Sequence, residues 1–353
     1  VINITNIELI DKLNFHKQLS PDEWIQLFSD YSSQDRKYAA ELASALTKKI
    51  FGSRIYFRGI IEFTNICKND CRYCGIRKSN TKAVRYRLTK DEILSCCEEG
   101  YSLGYRTFVL QGGEDGYFRD DLLENIIKEI KTCYPDCAIT LSLGERSRAS
   151  YEKLYRAGAD RYLLRHETAD SSHYSYLHPE DLSFENRMQC LKDLKETGFQ
   201  TGCGMMIGSP GQTASMLAED MKFLKEFNPE MIGIGPFIPH SETPFANEPG
   251  GSVSLTLFTL SLIRLMLPKV LLPATTALGS LEKDGRISGI LAGCNVIMPN
   301  LSPAAVRKKY LLYDNKADTD INAEDSIRLI RERVGKLGYT LSSERGDYMS
   351  DSE

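Results

Sequence analysis

The sequence lacks an excess of either charge. Its 44 Lys and Arg stand against 48 Asp and Glu, a formal net charge of −4. Nothing in that balance attracts a nucleic acid or an anionic membrane, so neither is expected as a partner. No apolar run is long enough to cross a bilayer. The N-terminal stretch lacks the basic segment and apolar core of a secretory leader, being amphipathic and acid-bearing instead. A small-scaffold disulfide framework is also missing, because the ten cysteines are scattered over 353 residues. Mostly free thiols in a reducing, cytoplasmic compartment are the expectation. Cys133 and Cys137 flank a loop and are expected to stay unpaired on the same reasoning. Between residues 57 and 300 there is no linker rich in Gly, Ser or Pro, which excludes an obvious break into separate domains.

What is present is a rhythm. Short apolar runs recur at 57–65, 107–115, 138–145, 161–168, 200–208, 230–237, 269–277 and 294–300. They are nearly continuous in apolar character, as parallel strands covered on both faces are. Amphipathic stretches separate them; the one at 88–104 opens with Thr89 and Glu92 in capping-box spacing. Eight strand–helix alternations predict an α/β protein, a complete (β/α)8 TIM-type barrel over residues 53–315. An open doubly wound sheet is the alternative. Residues 1–52 read as an N-terminal helical extension, with Ser20, Pro21 and Glu23 as a helix start. Residues 316–353 read as an amphipathic helix and a polar tail, packing on or trailing the barrel. The tail, 342–353, is expected to be disordered, and its Arg345-Gly346-Asp347 triplet accidental.

In a barrel of this type, chemistry sits at the C-terminal ends of the strands. Here those ends are polar. The second carries Gln111, Gly112, Gly113, Glu114 and Asp115, the third Thr140, Ser142 and Glu145, and the fourth Arg165, His166, Glu167 and Thr168. The sixth ends at His240 and the seventh carries Thr275 and Thr276. Each has a structural reading too. The glycines suit a turn, the threonines suit a strand, and Arg165 with Glu167 could be an ion pair. His166 reads as a satisfied hydrogen-bonding residue behind the strand.

The first strand runs into Cys67, Cys71 and Cys74, spaced C-x3-C-x2-C. Three close thiolates suggest soft-metal ligation. Zinc wants a fourth ligand, and no histidine lies in the loop. A [4Fe-4S] cluster held by three cysteines keeps one iron open to a small molecule, which explains the odd number. With Tyr73 before the last cysteine, "QGGED" after the second strand and "GIGPF" in the sixth, the sequence resembles the radical S-adenosylmethionine (SAM) superfamily. The resemblance implies that the open iron chelates SAM. One electron then breaks the sulfonium C–S bond, giving a 5′-deoxyadenosyl radical that attacks substrate.

A longer set narrows the likeness: "FTNICKNDCRYCGIRKSN", "VLQGGED", "AGADRYLLRHETAD", "GIGPFIPHSETPFANE", "PATTALG" and "GCNVIMPN". Over roughly residues 50 to 315 the chain resembles the HydE family, radical SAM maturases of [FeFe]-hydrogenase. The likeness implies that Cys67, Cys71 and Cys74 hold the cluster. It implies that Tyr73, Gln111, Gly113, Glu114, Thr140 and Met231 lie along SAM, together with Glu167 and Arg187, which join the cysteines as catalytic groups. Thr140, Arg165, Thr275, Thr276, Tyr310 and Tyr313 would line the substrate end. The implied substrate is an organometallic iron–carbonyl–cyanide complex bearing cysteine, handled in transient contact with the maturases HydG and HydF. Some members carry a second cluster on C-terminal cysteines. Here the last cysteine is Cys294, so one [4Fe-4S] cluster is expected. A methylornithine-synthase-like mutase or a biotin-synthase-like sulfur-insertion enzyme is the alternative.

Overall fold

The computed structural model describes residues 4–349. Three helices come first: α1 (Asn6–His16), α2 (Pro21–Asp30) and α3 (Ser33–Phe51). Each begins with a complete capping box, Thr5 with Glu8, Ser20 with Glu23 and Ser32 with Asp35. α3 packs on the helix Val253–Met266, and α2 on the helix Ala214–Phe227. The first of these contacts explains why Thr256 through Met266 are all buried. A helix apolar all round needs cover on its outer side, and α1 and α3 supply it.

The strands are β1 (Arg54–Phe57), β2 (Gly59–Thr64), β3 (Thr107–Gly112), β4 (Ala138–Ser142), β5 (Arg161–Leu163) and β6 (Gln200–Cys203). Then come β7 (Met206–Ile207), β8 (Met231–Ile232), β9 (Gly235–Pro236), β10 (Pro273–Ala274), β11 (Val296–Ile297) and β12 (Thr340–Ser342). β2, β3, β4, β5, β6 and β8 form one parallel sheet, and β10, β11 and β1 belong to another. Two seams join them. Met231 bridges to Leu271, and Ile60 bridges to Asn300. Ile60 N donates to Pro299 O at 2.9 Å and Leu301 N to Ile60 O at 2.7 Å. With β1–β2, β6–β7 and β8–β9 each counted as one interrupted strand, the eight expected strands close into a barrel.

Alternation sorts the side chains. Ile61, Phe63, Phe108, Leu110, Ile139 and Leu141 belong to the main apolar core. Their neighbours of opposite parity, among them Glu62, Val109, Gln111, Thr140 and Arg161, face the barrel interior. The Thr89–Glu92 capping box is present. His166 is fully buried: its Nδ1 accepts from Gly204 N and its Nε2 faces Asp220, both at 3.2 Å. All ten cysteines are free. Among the described residues, no helix is long and apolar enough to cross a membrane.

The tail corrects the expectation of disorder. After the helix Ala323–Gly335, β12 pairs in parallel with β1, Leu341 opposite Ile55. Residues 343–349 then turn under the barrel. Asp347 meets the fully buried Arg161 at 2.5 Å, and Arg345 meets Asp160 at 2.8 Å. Gly346 O accepts from Arg58 Nη2 at 3.1 Å. Asp347 of the triplet is the counter-charge of a buried arginine, a structural role within this chain. Residues 350–353 of the tail lie outside the described residues.

Candidate active site

β2 delivers the cysteine loop to the C-terminal rim of the barrel, and Arg85 holds it in shape. Its guanidinium donates to the carbonyls of Asn65 (2.6 Å), Ile76 (2.8 Å), Arg77 (2.6 Å) and Asn80 (3.1 Å). Asp70 accepts from Arg77 Nε at 2.7 Å and Ser79 N at 2.9 Å; the arginine holds its carboxyl well below the usual range. Gly113 lets the strand-two loop lie against the cysteines. A Cβ there would stand 2.4 Å from Ile66 O and 2.8 Å from Cys67 Cβ.

Burial pushes all three thiols up, Cys74 to about 12, and neighbouring cysteines add to the rise at Cys71 and Cys74. The three are therefore close neighbours. Yet no group of three or more His, Cys, Asp or Glu among the described residues is placed to hold a single metal ion. Three neighbouring thiols suit a cluster whose cysteines bind separate irons and leave one iron open. Mononuclear zinc would want a fourth ligand, and no histidine lies in the loop. The residues fit the implied group.

Tyr73, between the last two cysteines, is oriented by a residue that no sequence pattern picked out. Its hydroxyl lies 3.1 Å from His178 Nε2. His178 Nδ1 lies 2.9 Å from Tyr174 O. A carbonyl only accepts, so Nδ1 carries the proton and Nε2 accepts from Tyr73. Burial, with Arg187 nearby, pushes His178 down to about 3, which keeps the imidazole neutral. The ring also stacks on Tyr174, centroids 4.0 Å apart.

Charged residues gather beside the loop. Glu114 meets Lys68 at 3.0 Å, and its Oε1 accepts from Glu145 N at 2.9 Å. Arg187 donates to Glu145 Oε1 and to Arg165 O, each at 2.6 Å. Its guanidinium also faces the Tyr174 ring at 5.5 Å. Burial would lower Arg187, but Tyr174 and Glu145 raise it well above its ordinary value, so its charge is permanent. Arg165 and Glu167 approach to 3.0 Å. That contact is charge pairing without an aligned hydrogen bond, since Arg165 Nη2 and Glu167 Oε2 both lack a partner of proper geometry. Glu167 takes φ 66°, a left-handed conformation unusual for a non-glycine residue. Such strain recurs at functional sites.

Deeper in the barrel, Thr140 is buried with Oγ1 unpartnered, and so is Thr275 Oγ1. Gln111 Nε2 reaches Tyr310 Oη at 3.4 Å. Thr276 is engaged outside this set, its Oγ1 accepting from Arg286 Nη2 at 3.2 Å. Burial pushes Tyr313 up to about 12. A buried Glu62–Lys316 pair, also missed in the sequence, stands beside Tyr310. Asn300 Nδ2 donates to Glu62 Oε2 at 2.9 Å, and Lys316 Nζ to Tyr310 O at 3.0 Å.

Met231 is not brought to this end. It opens β8, pairs with Gly202 of β6, and its Sδ lies 3.1 Å from Arg58 Nη1. It packs with Phe51, Tyr56, Leu271 and Val296 at the N-terminal end of the barrel. The same run reaches the upper end only later: Phe237 clusters with Leu177, Met206 and Phe245, with Tyr73 against them.

The model of the Radical SAM superfamily matches residues 61–224. The [FeFe] hydrogenase maturase subunit HydE of Thermotoga maritima is 49% identical over 276 residues, 78% of this chain and 78% of that protein. A 3-methylornithine synthase of Methanosarcina acetivorans is 27% identical over 324 residues, 91% of this chain and 90% of that one. Among solved structures, methylornithine synthase (PylB) aligns with a TM-score of 0.80 at 25% identity, covering 95% of this chain and 97% of that one. HydG, a maturase of the [FeFe]-hydrogenase, aligns with a TM-score of 0.77 at 21% identity, covering 97% of this chain and 77% of that one, a likeness of fold. The closed barrel and its three-cysteine loop define a radical SAM enzyme. Within that superfamily the chain belongs to the family of the [FeFe] hydrogenase maturase subunit HydE.

Proposed function

We propose that this enzyme acts in [FeFe]-hydrogenase maturation on an iron–carbonyl–cyanide complex that carries cysteine. The observation that carries the reading is the set of unmet polar atoms: Thr140 Oγ1, Thr275 Oγ1, Arg165 Nε and Glu167 Oε2 are buried without hydrogen-bond partners. Each such atom costs about 1–3 kcal/mol when left unsatisfied. A wall that keeps several of them suits a polar guest. A guanidinium, a carboxylate and hydroxyls match the carboxylate and amino group of an amino acid.

Cys67, Cys71 and Cys74 would hold one [4Fe-4S] cluster, which, with SAM on its open iron, supplies the chemistry that generates a 5′-deoxyadenosyl radical. The chain's own residues do the rest. Glu114 and Arg187 offer a carboxylate and a guanidinium for the amino and carboxylate groups of SAM. Glu145 fixes Arg187 through its 2.6 Å bond. His178 fixes Tyr73, and the closed barrel wall keeps water from the reacting atoms. Transient contact with HydG and HydF follows from a substrate that is delivered and a product that is passed on. One cluster, on Cys67, Cys71 and Cys74, is the expectation for these residues; Cys294 is fully buried in the apolar core.

Sulfur insertion is less well supported. It needs a second set of cluster ligands inside the barrel, and Cys203 packs in the outer apolar core. The deciding experiment adds the iron complex and SAM to dithionite-reduced, reconstituted protein. Formation of 5′-deoxyadenosine together with a change in the complex's infrared carbonyl bands is expected. SAM cleavage with unchanged bands would sink the substrate assignment. Loss of hydrogenase activity on gene deletion separates a maturase from a mutase.

A further inference from the structure

The helix Ala214–Phe227 buries Leu217, Met221 and Leu224, and on the same stripe it buries an acid. Asp220 is fully covered, as is His166, which faces it from just past β5. One carboxylate oxygen takes two donors. Asp220 Oδ1 accepts from Ala169 N at 2.6 Å and stands 3.2 Å from His166 Nε2. On its other side the imidazole lies 3.2 Å from Gly204 N. A backbone amide only donates, so His166 Nδ1 is bare, and the ring proton sits on Nε2 and goes to Asp220. Gly204 O in turn accepts from Glu167 N at 3.0 Å. Gly204 is tightly packed itself: a Cβ there would stand 2.0 Å from Gly233 O.

These contacts grip the chain on either side of Glu167, the residue at φ 66°. A left-handed residue other than glycine persists only where its surroundings over-determine it. Here they do: the side chain before it and the amide two residues after it are both tied to Asp220, and its own amide is tied to Gly204. Anchoring the helix does not account for the pair. The apolar stripe already packs, a buried acid weakens such packing, and Asp220 Oδ2 is left without a partner. Glu167 points away from this grip. Its carboxylate meets Arg165 at 3.0 Å and lies near enough to Cys71 and Tyr73 to push both up. We propose that Asp220 and His166, behind the barrel wall, are positioning residues that hold Glu167 in its left-handed conformation and so aim its carboxylate at SAM. The proposal rests on the reading that Glu167 lies along SAM.

The test uses Asp220→Leu, Asp220→Asn, His166→Phe and Glu167→Gln in the full chain. Leucine suits the apolar stripe, and phenylalanine suits the place beside Phe223, whose ring lies 4.7 Å from the imidazole. SAM is titrated onto reconstituted protein. Asp220→Leu and His166→Phe should each weaken SAM binding about tenfold, with iron content and the paramagnetic signal of the reduced, SAM-free cluster as in wild type. Asp220→Asn keeps an accepting oxygen and should bind within about twofold of wild type. His166→Phe/Glu167→Gln should bind no more weakly than Glu167→Gln alone, because both changes act on one contact. In cluster-free protein, the amides of residues 166–169 should exchange deuterium faster in Asp220→Leu than in wild type. Wild-type SAM affinity in Asp220→Leu, unchanged exchange, or additive losses in the double variant overturns the proposal. So does equal loss in Asp220→Asn and Asp220→Leu, since the acceptor would then be irrelevant. If Asp220→Leu does not fold, His166→Phe with Glu167→Gln decides alone. Unchanged affinity in Glu167→Gln would strike the placement of Glu167 on SAM, and the proposal with it.

Discussion

Tyr73 shows how a residue's job depends on a partner far away in sequence. Its hydroxyl is held by His178, 105 residues on, and His178 by a backbone carbonyl. His178→Phe keeps a ring against Tyr174 but removes the acceptor, leaving the Tyr73 hydroxyl unpaired at a cost of about 1–3 kcal/mol. SAM affinity, measured by equilibrium titration on reconstituted protein, should fall several-fold. Tyr73→Phe in the His178→Phe background should add no further loss, because both changes break one contact. Additive losses would mean that His178 acts on something else. Arg165→Ala should spare reductive SAM cleavage while abolishing turnover of the iron complex. Lost SAM binding in that variant would move Arg165 to the cofactor. The cysteines, Glu114 and Glu167 stand in local patterns at strand ends that the sequence displays, whereas Arg187, inside the helix Phe184–Thr197, was named only through the family likeness. His178 was not legible, since a lone histidine on a short helix has no periodic signature. Met231 was misplaced because an apolar strand residue says nothing of its height in the barrel.

At the scale of elements, the strand-two loop and the cysteine loop are fitted backbone to backbone. At Gly113 an added Cβ would meet Ile66 O at 2.4 Å, and that neighbour is backbone and cannot swing aside. Gly113→Ala should therefore shift the cysteine loop, with an overpacking cost of about 1–3 kcal/mol. The expected readout is reconstitution with well under the about four irons per chain of one cluster, while the far-ultraviolet spectrum stays native. Full iron loading would show that the loop tolerates the shift. Gly116, in the same turn, has nothing within 4 Å of its Cβ position and supplies the control. The eight strands were readable because parallel strands covered on both faces leave continuous apolar runs. What could not be read was that several break in two, as at Arg58 between β1 and β2. There the residue is a buried cation that donates to Met231 Sδ and Gly346 O, partners that the apolar pattern does not announce.

For the whole molecule, the C-terminal tail is part of the barrel's floor. Composition suggested disorder because a polar segment brings little apolar surface to bury. The reading failed because the demand comes from elsewhere: Arg161, fully buried on β5, needs a carboxylate, and Asp347 lies 186 residues later. Burial would raise the Asp347 carboxyl, but Arg161 and Arg345 outweigh it and hold it down at about 2. A folded value below the ordinary ~3.9 means the contact stabilises above that pH and is lost as pH falls from about 4 towards 2. Removing one member of a fully buried pair costs ~3–5 kcal/mol; with Asp347 38% exposed, screening reduces the expected loss to roughly 1–3 kcal/mol. Asp347→Asn should therefore lower Tm by a few degrees at pH 7. The difference from wild type should shrink as pH falls below about 4, where the wild-type carboxylate itself begins to protonate. Asp347→Glu, which restores the charge, should recover part of the loss. An Asn variant with wild-type Tm at pH 7 would mean that the tail rests on the barrel without holding it.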